Sequence, residues 1–309
     1  MTLIDRCVNK LFKTLPDNLK KIESPIEIDL VLEGGAFNGS YLIGVLYFLK
    51  KMEKNNIIKI KRISGSSIGS LVGLLYFIGD LEFAGNLYNI LLSDFMKNNF
   101  LNITHIIQSH LKDKIPKDVC SKLYNKLFIS YTNIETKKKI VMSKYKNIDC
   151  LLDSIIKSCF IPFMIDGNIC YKNKFFDGIL PYVFLPKNNR KILYVDIMFN
   201  EKSYYILNAK NEKSNLNRIL TGMLDVHFFF IKQHKTNFCS YVNDWTCFDI
   251  FKNVCKQIIE KLVIYIIYFI LFFKKLFSPK SEIVKNVIYK HTSNYLFNLY
   301  SESIKHFCF

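Results

Sequence analysis

Gly65-Ser66-Ser67-Ile68-Gly69 reads G-x-S-x-G, a spacing suited to presenting one serine oxygen on a tight turn. A run of β-formers precedes it (Ile57, Ile58, Ile60, Ile63), and helix-spaced apolar residues follow (Ile68, Leu71, Val72, Leu74, Leu75). Strand, sharp turn and helix form the context in which a serine becomes a nucleophile. Gly65 and Gly69 flank the turn because a side chain at either point would collide with the strand or the helix. Ser67 is then pushed outward, near the positive end of the following helix. A second stretch, Glu33-Gly34-Gly35-Ala36-Phe37-Asn38-Gly39, points backbone N–H groups at one spot. No Gly-Lys-Ser/Thr follows it and the G-x-G-x-x-G spacing is absent, so neither a phosphate loop nor a dinucleotide fingerprint fits. Beside a serine elbow, N–H groups of Gly34, Gly35 and Ala36 suit a developing oxyanion, with Ile68 as a further donor.

The elements that must position these residues follow from periodicity. Ile26 to Leu32 reads as a strand that becomes continuously apolar, and Leu42, Ile43, Val45, Leu46 and Leu49 form the apolar face of a helix. The order strand, glycine loop, helix, strand, serine turn, helix predicts an α/β fold with a mostly parallel sheet covered on both faces. A third motif, Phe175-Phe176-Asp177-Gly178-Ile179, follows Ser158-Cys159-Phe160-Ile161-Pro162-Phe163 and the turn Asp166-Gly167-Asn168. Alone, its Asp-Gly pair reads as a turn.

Together the three motifs resemble the patatin-like phospholipase family over about half of the chain, from Ile26 to Leu185. The resemblance implies a three-layer α/β fold and hydrolysis of lipid acyl esters by a Ser–Asp dyad, with Ser67 as nucleophile and Asp177 as base. It implies no metal and no organic cofactor. Three positions depart from the family pattern: Ala36 replaces the third loop glycine, Asn38 replaces the loop's basic residue, and Ile179 replaces Gly or Ala after Asp177-Gly178. Ala36 keeps its N–H but is strained at positive φ. An aspartate is a weak base for an alcohol at its ordinary pKa, so an apolar pocket around Asp177 is expected to raise it. A Ser–His–Asp triad is the competing arrangement, with His227 and His234 as candidates by order in the chain. His227 lies in the apolar helix-like run Asp225-Val226-His227-Phe228-Phe229-Phe230, which favours a packed histidine.

The 309 residues carry a net charge of +17, and half of them are hydrophobic, so a sizeable core is available. The nine cysteines are scattered without C-x-x-C spacing, which argues against a zinc site or disulfide framework and for a reducing compartment. The N-terminus starts polar and mixed rather than as a signal peptide, so an intracellular protein, cytoplasmic or peripheral to membrane, is expected. Lysines are dispersed, Lys137-Lys138-Lys139 being the longest run and reading as a solvated face; an anionic membrane surface, not nucleic acid, suits this charge.

Residues 1–25 read as an N-terminal extension, 26–215 as the catalytic core and 216–309 as a helical C-terminal region, with the polar stretch Asn200 to Asn217 near the boundary. Twelve consecutive apolar residues run from Leu262 to Phe273 between lysines. As a helix they span about 18 Å against roughly 30 Å of bilayer hydrocarbon. A core helix or a membrane-seated helix is therefore expected ahead of a span over 258–277. An amphipathic helix is expected from Ser281 through Ile304. The functional expectation is a lipid acyl hydrolase acting on a phospholipid or related ester. Its rival is a catalytically degenerate membrane-associated or protein-interaction module of the same fold.

Overall fold

The computed structural model describes residues 2–98, 101–186, 190–198, 206 and 214–276. The expected helix from Ser281 through Ile304, Cys308 and most of the stretch from Asn200 lie outside them. In chain order the helices are α1 (Leu3–Lys13), α2 (Asp17–Lys20), α3 (Gly39–Lys54), α4 (Ile68–Ile78), α5 (Leu81–Asn98), α6 (Ile103–Ile106), α7 (Val119–Leu123), α8 (Ile148–Ser158), α9 (Leu216–Lys232) and α10 (Cys247–Leu276). The strands are β1 (Ile26–Leu32), β2 (Ile58–Ser66), β3 (Leu127–Asn133), β4 (Lys138–Met142), β5 (Phe175–Asp177), β6 (Lys191–Val195) and β7 (Cys239–Tyr241).

One sheet runs in the order β4-β3-β2-β1-β6-β7, with β5 also paired to β3. The β1–β2, β1–β6 and β2–β3 pairs are parallel, while β4, β5 and β7 join antiparallel. The continuously apolar second half of β1 reflects its place at the centre: Leu30, Val31 and Leu32 are wholly buried between helical layers. This three-layer, mostly parallel arrangement is the α/β fold that the motif order predicts.

Strand β3 has two pairing edges, and β4 occupies one of them. On the other edge β2 pairs with Leu127 to Ser130, and β5 pairs with Tyr131 to Asn133. The strands β2 and β5 therefore meet end to end: Ser66 lies opposite Ser130 and Asp177 opposite Tyr131. Sequence-distant Ser67 and Asp177 emerge at one junction for this reason.

The termini of the core reach beyond residues 26–215. Val8, Leu15 and Leu19 of the N-terminal segment enter the main core, and α9 and β7 belong to the same core and sheet. Helices α3 and α9 cross at Gly44 and Gly222: a Cβ on Gly44 would lie 1.9 Å from the Ile219 carbonyl oxygen, and one on Gly222 would lie 2.1 Å from that of Tyr41. Backbone cannot yield as a side chain tip does, so Gly44→Ala or Gly222→Ala should each destabilise the protein by about 1–3 kcal/mol. A thermal melt should show Tm lowered by several degrees, and an unchanged Tm would contradict so close a crossing.

Candidate active site

Ser67 caps α4 with φ 49° and ψ −131°, a strained conformation for a non-glycine residue. Such strain costs of order 1–3 kcal/mol and persists only where the surroundings over-determine it. Four hydrogen bonds do so. The Ser67 N–H donates to Ser158 Oγ at 2.9 Å, and Ser158 Oγ donates to the Ser130 carbonyl at 2.7 Å. On the far side of the turn, the Ser67 carbonyl accepts from Ser70 N–H at 3.0 Å and Ser70 Oγ at 2.7 Å. Gly65 and Gly69 allow the strand and helix to close: a Cβ on Gly65 would meet the Gly69 carbonyl at 2.6 Å, and one on Gly69 would meet the Leu32 and Glu33 carbonyls at 2.6 Å.

The glycine loop lies against this turn. A Cβ on Gly34 would stand 2.8 Å from Ser67 Cβ, and one on Gly39 would stand 2.4 Å from Ile68 Cγ1. The three N–H groups expected to face an oxyanion are not equivalent. Gly34 N–H donates to Ser66 Oγ at 3.1 Å and is thereby engaged in holding the loop to the elbow. No hydrogen bond is formed by the N–H of Gly35 or Ala36 among the described residues. Ile68, as the first residue of α4, has no intrahelical acceptor for its N–H. Ala36 adopts φ 41°, the strained region that its Cβ disfavours.

Asp177 stands at the end of β5, with its N–H donating to the Phe160 carbonyl at 3.0 Å and its own carbonyl accepting from Thr132 Oγ1 at 3.1 Å. The Ile179 N–H donates to Asp177 Oδ1 at 3.1 Å. Gly178 permits the turn: a Cβ there would fall 2.0 Å from the Ser130 carbonyl oxygen. Ile179, a β-branched residue, sits at φ 45°. Its carbonyl accepts from Ser66 Oγ at 3.0 Å, which ties the aspartate turn to the elbow. Burial pushes the Asp177 carboxyl up to about 7, assisted by nearby Glu260, while the Ile179 N–H and the neighbouring polar hydrogens of Ser67 and Gly178 restrain the rise.

Ser67 opens onto a narrow cleft walled by Ala36, Ile68, Leu91, Leu101, Ile161 and Ile165. A small neighbouring recess shares Ala36, Phe37, Ile68 and Leu91 and extends to Leu87. The lining is almost wholly aliphatic and aromatic, which suits a hydrocarbon chain rather than a polar one. Among the described residues no group of three or more His, Cys, Asp or Glu side chains could hold a metal ion, and the eight described cysteines are free thiols.

The histidine candidates lie in other surroundings. His227 Nε2 is 2.9 Å from Thr14 Oγ1, and its ring packs edge-on to Phe48 at 5.5 Å. Burial lowers its pKa. His234 is exposed beyond the end of α9.

Other contributors were hidden from sequence reasoning. Ser158 joins the elbow to β3, and only its place in a small-residue segment hinted at a role. Arg218 of α9, 2% exposed, donates to Asn38 Oδ1 at 2.9 Å, so a cation reaches the glycine loop from a helix 180 residues away. Lys256 of α10 donates to Glu33 Oε1 at 2.5 Å, and Glu260 Oε1 accepts from Leu180 N–H at 3.2 Å and from Lys139 Nζ at 2.7 Å. Lys137 lies over the Tyr268 ring at 3.7 Å. The lysine triplet expected to be a solvated face thus clamps α10 at two points. No local pattern in the chain announces these long-range partners.

A family model described as patatin-like phospholipase matches residues 30–239, about two thirds of the chain. An omega-hydroxyceramide transacylase of Mus musculus is 24% identical over 161 residues, covering 50% of this chain and 25% of the relative. A 1-acylglycerol-3-phosphate O-acyltransferase of the same organism is 25% identical over 142 residues, covering 43% of this chain and 34% of the relative. The chain thus spans a quarter to a third of the length of these curated relatives.

The raised Asp177 pKa has a measurable consequence. Its unfolded value is about 3.9, so between about pH 4 and pH 7 the native state binds the extra proton. The stability this contributes is present below pH 4 and is lost as pH rises through 7. Asp177→Asn, which cannot ionise, should therefore gain stability over the parent at pH 8 and differ little from it near pH 4. Paired thermal melts at the two pH values check this; an equal Tm difference at both would show that the carboxyl is not desolvated.

Proposed function

The chain belongs to the patatin-like phospholipase family, and from that membership we propose that it hydrolyses acyl esters of phospholipids or related lipids. The observation that carries the proposal is the end-to-end meeting of β2 and β5, which sets Ser67 beside an aspartate whose pKa is near 7. The membership supports a lipid acyl hydrolase or acyltransferase; the hydrolytic dyad is the finer reading.

In this reading Ser67 Oγ attacks the ester carbonyl carbon and its proton passes to the Asp177 carboxylate. An aspartate with pKa near neutrality is better matched to that transfer than one near 4. The oxyanion is met by the N–H groups of Gly35 and Ala36 and by the N-terminus of α4 at Ile68. Collapse expels the alcohol, which takes the proton from Asp177 and leaves an acyl group on Ser67. Water then attacks the acyl carbon, giving its proton to Asp177. The second collapse releases the fatty acid and returns that proton to Ser67 Oγ. The apolar cleft supports an acyl chain as the recognised part of the substrate.

Two observations bear on neighbouring readings. Both curated relatives carry names of acyl transfer to an alcohol, which supports an alcohol acceptor competing with water at the second step. Backbone strain at Ala36 and Ile179 supports the degenerate-module rival. Turnover of a p-nitrophenyl ester above a Ser67→Ala control decides between enzyme and module.

The surface of α10 supports a lipid interface as the place of action. Ile264 and Ile267 are buried against the protein, whereas Leu262, Tyr265, Ile266, Phe269 and Phe273 are each about half exposed. The segment expected to be either core or membrane-seated thus divides lengthwise into a buried face and an exposed apolar face. No described helix is long and apolar enough to cross a membrane. Lys261 and Lys275 are exposed on the same helix, and such lysines contribute about 1 kcal/mol each near an anionic bilayer.

Kinetics on a soluble short-chain ester test the dyad. Ser67→Ala and Asp177→Asn should each remove most activity, and the double variant should be little worse, because the pair acts as a unit. The parent's kcat/KM should rise with pH through about 7, as Asp177 becomes a carboxylate. His227→Ala or His234→Ala as damaging as Ser67→Ala in a folded protein would replace the dyad with a triad.

A separate test addresses the interface. Serine at Ile266, Phe269 and Phe273 together should lower activity on anionic phospholipid vesicles while leaving the soluble ester reaction and the melt nearly unchanged. Loss of the melting transition would instead assign those residues to the core.

A further inference from the structure

We propose that Arg218 is a positioning residue for the glycine loop, holding the Gly35 and Ala36 N–H groups at the Ser67 cleft through Asn38. The inference rests on the reading of Ser67 as the reacting residue and adds a cation that the loop motif itself does not contain.

The loop needs an external constraint. Gly35 sits at φ 157° and Ala36 at φ 41°, and the short turn they begin is closed by Asn38 N–H donating to the Gly35 carbonyl at 2.8 Å. Strained turns of this kind relax unless neighbours hold them. Asn38 is wholly buried and its side chain is gripped at both ends: Oδ1 accepts from Arg218 Nη1 at 2.9 Å, and Nδ2 donates to the Ile197 carbonyl at 2.9 Å. The amide orientation is forced by chemistry. A guanidinium only donates and a carbonyl only accepts, so a flipped Asn38 would satisfy neither partner.

Arg218 is itself fixed. Its guanidinium lies 5.8 Å from the Tyr41 ring of α3 and 5.9 Å from the Tyr88 ring of α5. Tyr88 in turn meets Phe37 edge-on at 5.3 Å, so both residues that follow Ala36 are tied to one buried cluster. Taking a guanidinium out of water is costly, and a helix-packing role alone would be served better by an apolar side chain of similar size. The planar, permanently charged fork supplies what packing does not, a directed donor on Asn38 that lysine reproduces only as a point charge.

The test compares the parent, Arg218→Gln and the double variant Arg218→Gln/Asn38→Arg, which moves the guanidinium from the helix to the loop. Two readouts are taken: amide hydrogen exchange of residues 33–41, and kcat and KM on a soluble short-chain ester. Arg218→Gln should raise loop exchange tenfold or more while β-sheet peptides keep their protection. Its kcat should fall roughly 10–100-fold with KM within about twofold, the scale expected when reacting groups are slightly misplaced. The double variant should recover most of both. Parental loop exchange in Arg218→Gln, or a folded double variant no better than the single, overturns the proposal. A purely packing Arg218 would lower Tm and leave kcat per folded molecule intact. If Arg218→Gln does not fold, Arg218→Lys is read by the same criteria. If the parent fails to exceed Ser67→Ala, the hydrolase reading falls, and the exchange measurement alone judges Arg218.

Discussion

Strand β3 presents one edge to two strands in succession, and the candidate site depends on that change of partner. At Ser130 the edge belongs to β2 and at Tyr131 to β5, so the ends of both strands arrive at one point. The Ser130 carbonyl then becomes crowded: it accepts from Ser158 Oγ, and Gly178 passes so closely that no Cβ fits. Moving β5 by one residue would turn Asp177 to the opposite face of the sheet, because side chains alternate along a strand. Register at this junction is therefore a condition for any chemistry between Ser67 and Asp177.

Strain and restraint coincide around the junction. Ala36, Ser67 and Ile179 all hold positive φ, and each lies in one of the three motifs. Ser66 connects them, receiving the Gly34 N–H and donating to the Ile179 carbonyl. One hydroxyl thus couples the glycine loop, the elbow and the aspartate turn. The hydrogen bonds offset conformations that would each relax in isolation.

Helix α10 extends the same frame outward. Successive turns present Lys252, Lys256 and Glu260 to the protein, contacting Asp196, Glu33 and the Leu180 backbone. Burial, together with Asp196, holds the Glu33 carboxyl up to about 8; Asp196 stays below the usual carboxylate range despite its own burial, because Glu33 and the two lysines favour its charge. The helix is thereby fastened beside both the glycine loop and the aspartate turn, while its outer face remains apolar. A single element joins the candidate site to an exposed apolar surface.

The sequence by itself determined the motifs, their order and the α/β class, because strand and helix periodicities and obligatory glycines are local properties. Gly65 and Gly69 read correctly as close approaches, since a missing Cβ is a steric statement that needs no partner's name. The raised pKa of Asp177 was also legible, from the apolar residues around it. Tertiary structure alone decided the rest. Asn38 read as the loss of a loop cation, yet the fold returns one through Arg218 on α9. Gly34 read as an oxyanion donor, yet its N–H is directed to Ser66. The apolar run Leu262–Phe273 could not be divided into buried and exposed faces until Lys256 and Glu260 fixed the rotation of α10. These outcomes depend on contacts between residues far apart in the chain, and hydrogen-bond direction and helix rotation are set by such contacts rather than by any local spacing.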